Sequence, residues 1–260
     1  MQVTFLGTGP SFGVPVVTCD CRVCSSPDKR NRRLRASLLL NWTNDDGEES
    51  RILVDTATDL RQQALRVCLD RVDAVLYTHH HADHVLGLDE LRIFSFVHGI
   101  SIPLYGRLET MNAIRHTFEY AFGDNAHGVP RIDVNPIDST FHLRGVEVIP
   151  IPVLHDRLTI SGYRIGNFAY VTDCSEIPEA SAEMLQGVDV LVIGALKRDT
   201  HPKHFSLGEA LFEIDRLKAG SAYLTHLSHE FDHEELEKEL PDNVHVAYDG
   251  LVLEAVEGST

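Results

Sequence analysis

The chain has 260 residues, of which 43% are hydrophobic and 24% charged, enough for one large domain or two small ones. Its 23 lysines and arginines against 39 aspartates and glutamates give a formal net charge of −16, which argues against an extended nucleic-acid-binding surface. The first residues show no basic stretch followed by an apolar one, and no apolar run approaches the roughly 18 residues that span a bilayer. We therefore expect a cytoplasmic protein that does not enter a membrane.

Short β-rich runs alternate with amphipathic segments, and these patterns predict strands and helices respectively. Strands are predicted over residues 3–7, 36–40, 51–55, 73–78, 101–106, 146–151, 161–166, 168–173, 188–194, 221–226 and 244–249. Helices are predicted over roughly residues 58–70, 85–98, 107–122, 178–186, 206–217 and 232–240. Residues 44–50, NDDGEES, indicate a hairpin turn, since Asp-Gly supplies the positive φ that such turns require. No linker or repeat divides the chain, so a single domain over residues 1–260 is predicted.

The segment YTHHHADHVLGLDEL, residues 77–91, follows an apolar strand and leads into a helical pattern. It contains the spacing H-x-H-x-D-H, formed by His79, His81, Asp83 and His84. Side chains two apart on an extended segment share a face, so His79 and His81 can bind one metal ion. Beyond the bend, Asp83 and His84 can reach a second ion. This spacing after a buried strand favours a metal site over histidines that only cap a helix.

Three further candidate ligands stand at the ends of other predicted strands. They are His155, Asp173 and His226. Each taken singly is equally consistent with a buried histidine or a helix-capping aspartate. Together with residues 79–84 they form a mixed imidazole and carboxylate set that suits zinc, manganese or iron.

These motifs resemble the metallo-β-lactamase superfamily nearly end to end, from FLGTGPSFGVP to HVAYDGLVLEA, and most of all the PhnP family of cyclic phosphodiesterases. The resemblance implies an α+β fold, a four-layer αββα sandwich with two central mixed β-sheets. It also implies two catalytic divalent metals, manganese or zinc. In the family pattern the first ion takes His79, His81, His155 and Asp173, and the second takes Asp83, His84, Asp173 and His226. Asp83 is counted among the catalytic residues as well.

A cysteine-rich segment, TCDCRVC at residues 18–24, carries the spacing C-x-C-x₂-C. Its cysteines are Cys19, Cys21 and Cys24. In an intracellular protein this crowding favours metal ligation over a disulfide framework. A closed zinc site takes four ligands, and the resemblance to PhnP proteins implies His229 as the fourth, with the loop docked near residues 226–232. One structural zinc is therefore expected, and a redox switch between Cys19 and Cys24 is the alternative.

The loop RDTHPKHFSLGEA, residues 198–210, contains two histidines. The resemblance places a non-ligand catalytic histidine here, and His204 is favoured over His201. Such a group hydrogen-bonds a phosphoryl oxygen or protonates the departing alcohol. Asp55, at the end of a predicted strand, is a candidate for orienting a ligating imidazole. The basic run at residues 29–35 is expected to be a solvated loop with a buried partner or two for an arginine, and substrate binding is the alternative.

The resemblance implies a dinuclear hydrolase of small or cyclic phosphodiesters, such as phosphoribosyl cyclic phosphate or cyclic nucleotides, acting through a hydroxide that bridges the two metals. Its partner is then a small-molecule substrate, and a homodimer is possible. Three alternatives stay open: a hydrolase of thioesters, lactams or lactones, an RNA nuclease resembling tRNase Z, and, least favoured, a metal-binding module without activity. The loops expected to select the substrate, residues 123–130 and 196–204, contain no motif from which the substrate can be predicted.

Overall fold

The computed structural model describes residues 1–44, 46–122 and 128–254. Its strands, in chain order, are β1 (Gln2–Gly7), β2 (Ser37–Thr43), β3 (Glu49–Val54), β4 (Ala74–Leu76), β5 (Ile102–Gly106), β6 (Ile132–Pro136), β7 (Phe141–Leu143), β8 (Val146–His155), β9 (Leu158–Ile165), β10 (Phe168–Val171), β11 (Val190–Gly194), β12 (Ser221–Thr225), β13 (Val244–Val246) and β14 (Val252–Glu254). Its α-helices are α1 (Leu60–Arg66), α2 (Ala82–Val85), α3 (Leu91–His98), α4 (Leu108–Thr117), α5 (Glu179–Leu185), α6 (Leu207–Leu217) and α7 (His233–Glu239). Short 3₁₀ helices cover Lys29–Asn31, Leu88–Glu90 and Glu119–Ala121.

The strands form two seven-stranded sheets, with the orders β14-β1-β2-β3-β4-β5-β6 and β13-β12-β11-β10-β9-β8-β7. In the first sheet β3 to β6 run parallel, whereas β14, β1 and β2 pair antiparallel. In the second sheet β10 to β13 run parallel, and β7 to β10 pair antiparallel. Both sheets are therefore mixed, as predicted.

Three hydrophobic cores separate the layers. The middle core lies between the sheets, and each outer core lies between one sheet and its helices. Neighbouring residues of a strand face opposite cores: Ile52 and Val54 of β3 belong to the middle core, whereas Leu53 packs toward the helices. The αββα architecture is thereby confirmed.

The helix predicted over residues 85–98 is interrupted. α2 ends at Val85, a 3₁₀ turn follows, and α3 begins at Leu91. The backbone N–H of Gly87 donates to the carbonyl oxygen of Thr56 at 3.0 Å instead of continuing the helix. A Cβ at position 87 would lie 2.1 Å from the carbonyl oxygen of Ala57, so this close approach requires glycine.

Three short strands were not predicted from the sequence. β6, β7 and β14 lie at or beside sheet edges, where little burial is needed and no clear alternation develops. The predicted hairpin is present, since β2 and β3 pair from Thr43 and Glu49 onward and Gly47 has φ +80°. Asp45 of that turn, and residues 123–127 of the first expected pocket loop, lie outside the described residues.

Candidate metal centres

The histidine-rich segment forms the connection between β4 and α2. The backbone N–H of His84 donates to the carbonyl oxygen of His81 at 3.0 Å, which starts the helix directly after the ligand turn. The backbone N–H of Thr56 donates to the carbonyl oxygen of His84 at 2.9 Å, which fixes α2 against the end of β3. The side chains of His79 and His84 are therefore held in the interior, with His79 1% and His84 0% exposed.

Three other predicted ligands reach the same place from the second sheet. His155 is the last residue of β8 rather than a residue beyond the strand, Asp173 lies two residues after β10, and His226 directly follows β12. Asp173 and His226 adopt positive φ values of +54° and +58°. This left-handed conformation is uncommon outside glycine, and such strain concentrates at functional sites.

The side chains bring their donor atoms into groups in which all donors lie within 4.8 Å of one another. One group is His79, His81 and His155, and another is Asp83, Asp173 and His226. Asp173 also groups with His79 and His84, and with His155 and His204. Its Oδ1 lies 3.3 Å from Nε2 of His226, and its Oδ2 lies 3.2 Å from Nε2 of His84. Because Asp173 shares groups with His79 and His155 on one side and with Asp83 and His226 on the other, its carboxylate lies between two ligand subsets.

A second layer of hydrogen bonds orients the ligating rings. Nδ1 of His84 donates to Oδ2 of Asp55 at 2.7 Å. The Thr78 hydroxyl also donates to this carboxylate, at 2.8 Å, and it accepts from Nδ1 of His79 at 3.0 Å. Asp55 is the residue that the sequence analysis suggests for this role. Thr78 was not predicted, and the only feature of the sequence that could have indicated it is its position directly before His79.

The third oriented ring belongs to His155. Its Nδ1 donates to the carbonyl oxygen of Lys203 at 2.8 Å, so a loop after β11 fixes a ligand at the end of β8. In all three rings the bond at Nδ1 directs Nε2 toward the ligand groups, where it can bind a metal. Among the described residues, Nε2 of His79 and Nε2 of His84 are buried and have no hydrogen-bond partner.

Such unpartnered buried nitrogens are costly unless something satisfies them. A bound divalent ion does so, and a mixed set of imidazoles and carboxylates is what zinc and manganese accept. The residues present therefore fit a pair of divalent ions.

Charge and burial set the protonation of this centre. Burial lowers the pKa of His79 and of His226, so both imidazoles are neutral at pH 7, the form that binds a metal. Burial acts to raise the pKa of Asp173, but His226 and His84 lower it well below its ordinary value. Burial also acts to raise the pKa of Asp83, but His84 lowers it to about 2. Both carboxylates are therefore ionised and attract a cation.

His204 reaches the centre from the loop after β11. Its Nδ1 lies 3.6 Å from Oδ1 of Asp173, and its ring stacks on that of His226 with centroids 5.1 Å apart. Burial lowers the pKa of His204 to about 3, so the imidazole is neutral and keeps one N–H to donate. The ring of His201 lies 5.2 Å from that of His204, and within the described residues His201 adds no donor atom to the ligand groups.

The second centre is formed by the cysteine loop and His229. Nδ1 of His229 lies 3.3 Å from Sγ of Cys19, 3.6 Å from Sγ of Cys21 and 3.4 Å from Sγ of Cys24. Ligands of one tetrahedral zinc ion are separated by about 3.6 Å at ordinary bond lengths. The four residues therefore fit a closed zinc site. The backbone N–H of Cys24 lowers the pKa of Cys21 to about 6, which favours the thiolate that binds zinc.

A buried arginine ties the N-terminal loop to the segment that carries both His226 and His229. Arg33 is 1% exposed, and its guanidinium donates to the carbonyl oxygens of Ser228 at 3.1 Å and Phe231 at 2.9 Å. It is the arginine with buried partners that the basic run 29–35 predicts. These bonds hold the loop after β12 in place. Because that loop carries His226 and His229, the same bonds help to position one candidate ligand of each centre.

The profile of the beta-lactamase superfamily domain matches residues 50–227, which is more than half of the chain. The chain belongs to this superfamily. Both the fold and the resemblance to PhnP proteins are consistent with a solved structure of a new diphosphatase from the PhnP family, which is 41% identical and superposes with a TM-score of 0.91. That match covers 99% of this chain and 98% of the other.

Two further proteins that this chain resembles carry different names. A protein of Porphyromonas gingivalis named octanoyltransferase is 39% identical over 96% of this chain, but the match covers 51% of that protein. The chain therefore spans about half the length of this relative. Zn²⁺-bound PqqB from Methylobacterium extorquens is 20% identical, with a TM-score of 0.75 over 98% of this chain and 100% of PqqB, and shows the fold alone.

Among the described residues, every helix is too short or too polar to cross a bilayer.

Proposed function

We propose that the chain is a hydrolase with two catalytic divalent metals, manganese or zinc, and that it cleaves a phosphorus–oxygen bond in a small phosphodiester. The observation that carries this proposal is the buried centre in which imidazoles and carboxylates meet, with Asp173 between two ligand subsets. The likeness to a PhnP-family diphosphatase, at 41% identity over almost all of both chains, supports chemistry at phosphorus.

The proposed ligands divide between two catalytic ions and one structural ion. The first catalytic ion takes His79, His81, His155 and Asp173, and the second takes Asp83, His84, Asp173 and His226. Cys19, Cys21, Cys24 and His229 hold one structural zinc. Asp173 groups with His79 and His155 of the first set and with Asp83 and His226 of the second, which supports its place in both catalytic sets.

The chain's own residues prepare the reaction. When bound, a pair of divalent cations lowers the pKa of a coordinated water and neutralises phosphoryl oxygens during in-line attack. Asp55 and Thr78 hold the ligand rings in one orientation, so the site is arranged before the substrate arrives. Asp83 is ionised and 12% of its side chain is exposed, so its carboxylate can accept a hydrogen bond from the attacking water and orient it.

His204 is proposed to act on the substrate rather than on a metal. Its neutral ring donates one N–H to a phosphoryl oxygen or to the departing oxygen. Hydrolysis then joins the water oxygen to phosphorus and breaks the bond to the departing oxygen, which leaves with a proton. The departing group is an alcohol in a cyclic phosphodiester and a phosphate in a diphosphate, and the name of the PhnP-family relative makes the second linkage a candidate as well.

Other bonds and substrates are less well supported. The protein named octanoyltransferase is about twice as long as the part that this chain matches, which is 51% of it. Its name therefore does not say whether the acyl transfer is carried out by the matched half. The net charge of −16 speaks against precursor tRNA, since RNA binding draws on lysine and arginine.

The test is a substrate panel with protein loaded with manganese or zinc and its metal content measured. The panel contains 2′,3′-cyclic nucleotides, cyclic ribose phosphates, linear phosphodiesters, diphosphate esters, an acyl thioester and precursor tRNA. We expect hydrolysis of at least one small phosphorus substrate that His204→Ala lowers at unchanged metal content. Turnover of the thioester or the tRNA alone, or of nothing at full metal occupancy, contradicts the proposal.

A further inference from the structure

His229 belongs to the cysteine centre and also borders the catalytic one. Its Nδ1 lies 3.3–3.6 Å from the three cysteine sulfurs. The same residue lines a cavity of about 460 Å³ together with His204 and His226. Because the two nitrogens of an imidazole lie on different edges of the ring, Nε2 points away from the sulfurs. The proposed zinc ligand therefore has a second polar atom that does not face the cysteines.

This second nitrogen has no protein partner. Among the described residues, the His229 ring is bonded only through Nδ1. His229 is half-buried, and its Nε2 is not one of the buried side-chain atoms that lack a partner, so this nitrogen is accessible. Three catalytic ligands differ, because His79, His84 and His155 each bond Nδ1 to an oxygen of a neighbouring residue. A metal-binding histidine normally gives its other N–H to such an acceptor. A ligand that fills the cavity must supply the acceptor for His229.

Coordination through Nδ1 fixes which proton the His229 ring carries. An imidazole that binds a metal through one nitrogen is neutral and keeps its proton on the other. Nε2 is then an N–H donor and cannot act as an acceptor. The ring is therefore suited to recognise an oxygen atom of a ligand.

The backbone on both sides of His229 is held in place. The N–H of Ser228 donates to the carbonyl oxygen of Leu196 at 3.1 Å. The carbonyl oxygen of Ser228 accepts from the N–H of Phe231 at 3.3 Å and from the guanidinium of Arg33 at 3.1 Å. A donor that is already fixed loses little conformational entropy when a ligand binds.

The charged side chains of the cavity do not favour one sign of charge. Lys197 and Glu230 both line it and carry opposite charges. Oε2 of Glu230 accepts from the backbone N–H of Arg198 at 3.1 Å, which holds this carboxylate at the start of the loop after β11. We therefore expect directional hydrogen bonds, rather than net charge, to position a ligand in this part of the cavity.

We propose that the Nε2–H of His229 donates a hydrogen bond to an oxygen atom of the substrate. The cysteine centre then takes part in substrate binding as well as in stability. This inference rests on the proposed function and adds a binding residue to it. It also gives the segment after β12 two roles, since His226 is a proposed metal ligand and His229, three positions later, contacts the substrate.

The kinetic test is His229→Cys. Four cysteines, like three cysteines and a histidine, are an ordinary structural zinc site, so this variant keeps the ligand count and removes the N–H. We expect KM for the best substrate of the panel to rise about threefold to tenfold, as loss of one neutral hydrogen bond does. kcat stays nearly unchanged, because the bond is present in the bound substrate and in the transition state alike.

The control is His116→Cys, which replaces an exposed histidine of α4 outside the cavity lining and adds a thiol there. We expect it to leave KM unchanged. Zinc content by mass spectrometry and Tm are measured for both variants. An unchanged KM in a His229→Cys protein that holds its zinc overturns the proposal. If His229→Cys loses zinc, the next measurement decides.

Nuclear magnetic resonance observes the donor directly. Protein with isotope-labelled histidine and zinc in all sites is titrated with ribose 5-phosphate, and the imidazole N–H signals are followed. We expect His229 to carry its proton on Nε2 and this proton signal to move downfield as the ligand binds. A signal that stays in place at saturation, or a proton found on Nδ1 instead, overturns the proposal.

The two measurements also separate this inference from the proposed function. If no phosphorus substrate is hydrolysed but the Nε2–H signal of His229 responds to ribose 5-phosphate, the proposed function fails and the donor stands. If hydrolysis occurs and the signal does not respond, the donor fails and the hydrolase stands.

Discussion

The two candidate metal centres lie on either side of one loop, yet the chain prepares them differently. In the catalytic centre the ligands follow rigid strands, His79 and His84 are buried, and Asp55 fixes a ligand ring from behind. In the cysteine centre the ligands Cys19 and Cys21 stand on an irregular loop and are half-buried. The sheets therefore position the first set of candidate ligands, whereas the second set stands on a loop to which we expect a bound zinc to add stability.

The largest expected effect comes from removing the carboxylate between the two catalytic subsets. We expect Asp173→Asn to lower kcat by at least about a thousandfold, because an amide cannot supply anionic oxygens to the ions of both ligand subsets. The measurement is turnover of the best panel substrate, with metal content by mass spectrometry. Asp215→Asn, on α6, is the matched control. Full activity in Asp173→Asn is incompatible with a dinuclear centre.

Removing the Asp55 carboxylate, which orients the His84 ring, should lower activity less than Asp173→Asn does. We expect Asp55→Asn to weaken metal affinity or lower activity about tenfold to hundredfold, the usual effect of losing an orienting partner of a ligand. Competition with a metal-sensitive dye measures the affinity. An Asp55→Asn protein that binds metal as tightly as the parent would show that the strands alone fix the ligand rings.

The cysteine centre is expected to govern stability more than chemistry. We expect Cys21→Ser to lose one zinc per chain and to lower Tm by about 5–10 °C, with a severalfold loss of activity. Calorimetry and zinc analysis measure both. Cys68→Ser, which removes an exposed thiol outside the cluster, serves as the control and leaves both values in place. Unchanged zinc content in Cys21→Ser argues instead for a redox pair.

The smallest effect concerns the surface ion pair that joins the cysteine loop to α7. Arg22 makes a two-bonded contact with Glu235, but both side chains are more than half exposed. Solvent screens such pairs, so we expect Arg22→Ala to leave Tm and activity unchanged within error. A fall in Tm comparable to that of Cys21→Ser would mean that side-chain contacts, not the zinc, hold the loop.

Much of the architecture could be predicted because its signals are local. The ligands at residues 79–84 follow a buried strand at a recognisable spacing, and α6 shows clear apolar periodicity after a capping serine. Asp55 was suggested by its place at the end of a predicted strand, and the structure puts its carboxylate against His84.

Other features depend on contacts between distant segments and could not be read from the sequence. The break after Val85 arises because Gly87 packs against Ala57, a contact that periodicity does not record. Nothing in the sequence distinguishes Phe12 from other loop residues, since only the folded chain brings it into one cavity with His204 and His226. Edge strands such as β7 have three residues and no alternation long enough to detect.

Two residues separate His226 from His229, and the N–H of the first of them, Leu227, donates to the Thr8 carbonyl oxygen at 3.0 Å. We therefore expect alkylation of Cys19 or Cys24 to disturb the position of His229 and, through this short segment, the backbone that carries His226. A thiol reagent that never contacts the catalytic ligands should then lower activity. Because His229 also lines the cavity beside His204 and His226, substrate binding should change as well.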